Sequence, residues 1–105
     1  MEKMLKEKQL IELSNQYYEL TETLKDYRMN MRSNRYKKMN EVRKRSVKAQ
    51  YKFFSHCVDA TVKTLLDHKY YNKDLLKNAI LNRHVCLKTK LRCLKAYTRI
   101  PIRML

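Results

Sequence analysis

The sequence predicts an all-α fold, arranged as an elongated three-helix bundle or a coiled-coil-like hairpin. Two observations carry this expectation. The 105 residues contain no Gly, one Pro and no Trp, which removes the residues that β-hairpins, phosphate-cradling loops and tight turns rely on. Apolar residues also recur at helical spacing through most of the chain. A chain of this length forms one domain, expected over 1–105, and buries about two-thirds of its unfolded surface.

The first helix is expected within residues 1–33. Leu10, Leu13, Tyr17, Leu20, Leu24, Tyr27 and Met31 step by three and four in alternation, an a/d seam held for three heptads. Glu12, Glu19, Glu22, Lys25 and Asp26 flank it as a solvated face. The seam demands an apolar partner, either within the chain's own bundle or on another molecule, so self-association is an expectation of the second case.

A basic helix is expected over 34–68. From Arg28 to Lys52 the chain carries ten Lys or Arg against one Glu. Ser33 and Asn34 loosen the helical pattern there, and Asn34 is a candidate cap for the second helix. Val47, Tyr51, Phe54, Val58, Val62 and Leu65 then restore an apolar stripe. The stretch DHKYYNKD interrupts it, and Asn72 is a candidate N-cap for a last helix over 72–99, with Asp74 suited to the positive end of its dipole. The expected apolar face of that helix is Leu76, Ala79 or Ile80, Leu87, Leu91, Leu94 and Tyr97. Pro101 ends it, leaving a tail over 100–105.

Charge is unevenly placed. Residues 1–34 hold six basic and six acidic side chains, residues 35–69 hold ten and three, and residues 70–105 hold nine and one. The first third balances itself, whereas the remainder suits an acidic partner such as nucleic acid, an acidic protein surface or anionic lipid. Arg35, Lys37, Lys38, Arg43, Lys44, Arg45 and Lys48 are the candidate polyanion-binding residues. Mutual repulsion in such a run is relieved on a polyanion, and the RKR cluster resembles a nuclear-localisation signal.

Three cysteines, an odd number, follow a charged N-terminal stretch with no signal-peptide pattern. Reduced thiols in the nucleus or cytoplasm are the expectation. No run approaches the ~18 apolar residues of a membrane span. The absence of Gly excludes the Walker and dinucleotide-binding loops, whose backbone must approach phosphate without a Cβ in the way.

The stretch RHVCLKTKLRCLKAY, Arg83 to Tyr97, invites three chemistries. As a metal site, His84, Cys86 and Cys93 lack the tight pair that zinc usually takes, and His56 and Cys57 would join them only through docking; no metal or other cofactor is expected. As a nucleophilic site it lacks a carboxylate anywhere in residues 75–105, and Asp59 and Asp67 lie on another element. His84 and Cys93 would stand about 13.5 Å apart along one helix, so no enzyme is expected. As a nucleic-acid surface, Lys88, Lys90, Arg92, Lys95 and Arg99 point around the helix rather than along one strip, and Tyr70 and Tyr71 are candidates for base stacking or for filling a turn.

The pattern R-H-x-x-L-x-x-x-x-R-C-L-x-A-Y, carried by Arg83, His84, Leu87, Arg92, Cys93, Leu94, Ala96 and Tyr97, resembles a helix in the first Psf subunit of the eukaryotic GINS complex. The resemblance covers residues 83–103. It implies a helical-bundle domain of a non-catalytic scaffold within the replicative CMG helicase, joining the MCM ring and its associated factors. It also implies that Arg92, Leu94 and Tyr97 belong to the helix through which the subunits assemble, with the Arg making charge-assisted bonds and Leu94 and Tyr97 supplying buried area.

The leading expectation is therefore a non-enzymatic, GINS-like assembly subunit of a nuclear DNA replication complex. Its partner-interface candidates are Leu10, Leu13, Tyr17, Leu20, Leu24 and Tyr27 together with Arg92, Leu94 and Tyr97. The alternative is a basic coiled-coil protein that binds nucleic acid or another polyanion without sequence preference through residues 28–52. A third is a cytoskeletal or organelle assembly subunit that meets an acidic protein groove.

Overall fold

The structure, a computed structural model, describes residues 5–100 and is all-α. Five helices follow one another: α1 (Glu7–Met31), α2 (Asn34–Lys37), α3 (Glu41–Asp67), α4 (Lys73–Leu81) and α5 (Leu87–Arg99). The particle is elongated, with principal extents of 51 × 32 × 22 Å.

The heptad seam of α1 is used inside the chain. Leu10, Tyr17 and Leu24, one residue per heptad, are buried, while Leu13, Leu20 and Tyr27 are half-buried beside them. Their partner is α3, which runs antiparallel: the Tyr27 hydroxyl donates to Gln50 Oε1 at 2.6 Å near one end, and the Leu5 N–H reaches His68 Nε2 at 3.5 Å near the other. Val58, Thr61, Val62, Leu65 and Leu66 of α3 are buried, all in its second half. The core therefore lies at one end of the α1–α3 pair, where α4 and α5 also dock. The other end, with α2 and the start of α3, carries the densest basic sequence.

Four chain breaks replace the two expected. Ser33, rather than Asn34, caps α2, its hydroxyl accepting the Tyr36 N–H at 3.3 Å. Asn40 caps α3 by accepting the Arg43 N–H at 2.9 Å, so the expected helix over 34–68 is two helices. Each cap satisfies a backbone donor that a helix start leaves unpaired.

α3 ends in a residue with positive φ, Lys69 at 55°. The Tyr70 N–H donates to the Leu65 carbonyl and the Lys69 N–H to the Leu66 carbonyl, each at 3.0 Å. This is the Schellman arrangement, which usually takes Gly at the left-handed position; a chain with no Gly uses Lys. Asn72 caps α4 as expected, accepting the Leu75 N–H at 2.9 Å.

The expected helix over 72–99 is divided at residues 82–86. Asn82 is extended, its side chain accepts the His84 N–H at 2.9 Å, and its carbonyl accepts the Val85 N–H at 3.2 Å. This turn inserts Val85 into the core and returns α5 along α4. Lys73 at the start of α4 lies 5.2 Å from the Tyr97 ring near the end of α5, so the two helices are antiparallel. Ile100 is extended, as a residue before proline prefers. The rest of the expected tail lies outside the described residues.

Candidate functional site

The division at 82–86 changes which face of the last helix is available. α5 buries its small residues: Thr89 and Cys93 are buried and Ala96 is half-buried. Small side chains let α5 approach its neighbours closely, and Ala79 of α4 is likewise fully buried. Leu87, Leu91 and Leu94 remain 73, 52 and 47 % exposed. At 100° per residue these three lie on the side opposite the buried set. The expectation that they form the packed face of the last helix is thus corrected. Lys88 and Lys95 are exposed along one border of the stripe, and the half-buried Lys90 lies along the other.

Arg92 and Tyr97, the polar and aromatic members of the resemblance, are engaged within the chain. Arg92 donates from Nη2 to Asp67 Oδ1 at 2.6 Å, and Tyr97 receives the Lys73 ammonium over its ring. Of the three candidates on α5, Leu94 alone offers a largely free surface, and Leu87 and Leu91 extend it by two turns.

The reactive types of Arg83–Tyr97 are dispersed. His84 lies in the connector between α4 and α5, not on one helix with Cys93, and its ring is held by one turn of α3. Tyr51 Oη is 3.1 Å from Nε2 and Ser55 Oγ is 3.2 Å from Nδ1. Ser55 also donates to the Tyr51 carbonyl at 2.9 Å. With that proton committed, the pattern is satisfied when His84 donates from Nδ1 to Ser55 and accepts at Nε2 from Tyr51. Ser55 then receives a proton from the imidazole rather than surrendering one to it, the reverse of an activated nucleophile. Burial, followed by the nearby Arg28 and Arg83 charges, holds the His84 pKa below its ordinary 6.5, in keeping with a neutral ring.

Cys86 is exposed with its Sγ 3.1 Å from Thr89 Oγ1, and its backbone N–H donates to Asp59 Oδ1 at 2.9 Å. Cys93 is fully buried, and burial pushes its thiol pKa up. Among the described residues no three His, Cys, Asp or Glu side chains gather, and no helix is long and apolar enough to cross a membrane.

The basic run is largely free. Arg35, Lys37, Lys38, Arg43, Arg45 and Lys48 are exposed. Lys44 is the exception, half-buried, 4.0 Å from Glu41 and 5.9 Å from the Tyr36 ring centroid. Apart from Lys44–Glu41, the one other ion pair among the described residues is Arg92–Asp67, so the six exposed cations have no carboxylate within bridging distance. Tyr70 and Tyr71 are half-buried against the core, which favours the turn-filling role over base stacking.

Sequence reasoning did not single out Tyr51 and Ser55 as partners of His84. Their i, i+4 spacing on a polar edge of α3 is the one local signal. No family model, curated protein or solved structure matches this chain.

Proposed function

We propose that the chain is a non-enzymatic assembly subunit of a nuclear DNA replication complex of the GINS type, and that α5 is its docking element. One observation supports the reading above the others: the helix that carries the resemblance turns Leu87, Leu91 and Leu94 to solvent in a continuous stripe. Fully burying a leucine contributes about 1.5–3 kcal/mol, so covering the exposed half or more of each gives a partner a substantial hydrophobic anchor. The lysines along its borders suit an acidic rim on that partner.

The test is co-expression with the other three GINS subunits followed by size-exclusion chromatography. The reading expects the isolated chain to self-associate and the mixture to elute as one monodisperse complex. A well-folded monomer that ignores those subunits removes it.

The six exposed cations of α2 and early α3 favour a second reading, non-specific binding of nucleic acid or another polyanion through residues 28–52. Its affinity falls steeply with salt, because each neutralised phosphate of duplex DNA contributes about 0.9 to the slope. Replacing Arg43, Lys44 and Arg45 by Ala lowers that slope. Absent or salt-independent binding to DNA and RNA counts against it.

A further inference from the structure

A cleft of about 360 Å³ opens where α1 meets the end of α4 and the connector that follows it. Lys25 and Arg28 line it from α1, and Arg83 and His84 line it from the connector. Asn78, Asn82 and Thr21 add neutral polar groups, and Glu22 is its one acid. None of the three permanent cations has a carboxylate within ion-pair distance among the described residues. They therefore repel one another with little local compensation. The Arg28 Nε is shielded from solvent and has no hydrogen-bond partner among the described residues, although such groups are normally satisfied. A second, smaller cleft shares Lys25 and Arg28 and continues to Arg32.

We propose that this cleft binds a phosphate group between Arg28, Arg83 and Lys25. A guanidinium presents its Nε–H and one Nη–H side by side, a geometry that matches two phosphate oxygens. The bound oxyanion cancels the repulsion among the cations. Asn78, Asn82 and Thr21 are available to the remaining oxygens. The volume falls within the ~300–1,000 Å³ usual for small-molecule sites, so it admits more than the phosphate alone. The neighbouring cations extend the same chemistry toward Arg32. This site is separate from the α5 stripe; it shares Arg28 with the basic run 28–52, whereas Lys25 and Arg83 lie outside that run.

The test uses the full chain labelled for NMR, titrated at constant ionic strength with inorganic phosphate in one arm and with a short single-stranded oligothymidylate in the other. The expected result is saturable movement of the Arg28 Nε–H and His84 ring signals. Arg28, Arg83 and Lys25 face the ring's surroundings as cations, Glu22 as an anion, and Tyr51 and Ser55 hold its nitrogens. An added phosphate therefore raises the His84 titration midpoint. Arg83→Gln, an exposed position that leaves the core intact, weakens binding about tenfold, as loss of one charge-assisted contact does. Arg28→Gln does the same and confirms the position if its circular dichroism matches the parent.

Tighter binding of inorganic phosphate identifies a free phosphomonoester as the source, and tighter binding of the oligonucleotide identifies a nucleic-acid backbone. No saturable change with either ligand overturns the proposal. So does equal affinity in a folded Arg83→Gln and a folded Arg28→Gln.

Discussion

Arg92 on α5 reaches Asp67 in the last turn of α3, with Nη2 2.6 Å from Oδ1. An acid at that end of a helix opposes the dipole, and α3 has no basic residue of its own in that turn, so Arg92 supplies the missing compensation from another element. The two side chains remain 39 and 53 % exposed, which limits the pair to below about 1 kcal/mol. Asp67→Asn is therefore expected to move the thermal midpoint by only a few degrees while leaving the helical signal unchanged. A cooperative loss of structure on that substitution contradicts a surface pair and makes it a hinge of the fold.

Lys69 occupies the left-handed position of the Schellman turn after α3. A Cβ there strains against its own backbone, a cost that Gly avoids. Lys69→Gly is expected to stabilise the chain by about 0.5–1 kcal/mol in urea unfolding, even after the added freedom of the unfolded chain is counted. Destabilisation by this exposed substitution contradicts the assigned turn.

Tyr17 ties α1 to α4. Its ring is fully buried, its hydroxyl donates to Asn78 Oδ1, and Asn82 Nδ2 donates to it at 3.4 Å. Tyr17→Phe is expected to cost about 1 kcal/mol, because both asparagines are near solvent and regain water. Tyr17→Ala adds a cavity and costs about 3–5 kcal/mol. Burial raises the Tyr17 pKa from 10 to about 12, against a smaller lowering by the Asn82 bond. Above pH 10 the unfolded chain ionises first, so the native state loses stability as pH rises toward 12. Tyr17→Phe flattens part of that alkaline limb in pH-dependent melts.

His84 governs the opposite limb. Its pKa is lowered by burial and by Arg28 and Arg83, so the unfolded chain binds its proton before the folded one does. The stability conferred by the neutral ring is complete above pH 6.5 and is lost as pH falls from 6.5 through the lower folded pKa. His84→Gln, which keeps hydrogen-bonding capacity toward Tyr51 and Ser55, is expected to show a shallower decline of the melting temperature in that window. Parallel pH profiles for the parent and the variant contradict this role.

The helical class and the α1 seam were legible because period and burial agree there: Leu10, Tyr17 and Leu24 recur every seventh residue and face the core. The caps at Asn72 and the stop before Pro101 follow from local chemistry alone. The break at Asn82 was not legible, since one Asn without Gly or Pro is a weak punctuation mark, and the force that bends the chain is the burial of Val85. Once the chain turns there, Thr89, Cys93 and Ala96 give α5 its closest approach, and the stronger apolar periodicity of Leu87, Leu91 and Leu94 is left outward. Periodicity reports a stripe and not what covers it. The His84 cluster and the phosphate cleft join residues distant in sequence, so tertiary contact alone reveals them.

The central claim is that the outward leucine stripe of α5 is a docking surface. It is tested most directly by affinity purification from nuclease-treated lysate at moderate salt, comparing the parent chain with Leu91→Glu/Leu94→Glu and identifying bound proteins by mass spectrometry. The account predicts that GINS or MCM subunits stay with the parent and are lost from an equally helical variant. Retention of the same partners by the variant, or partners that vanish with nuclease alone, contradicts it.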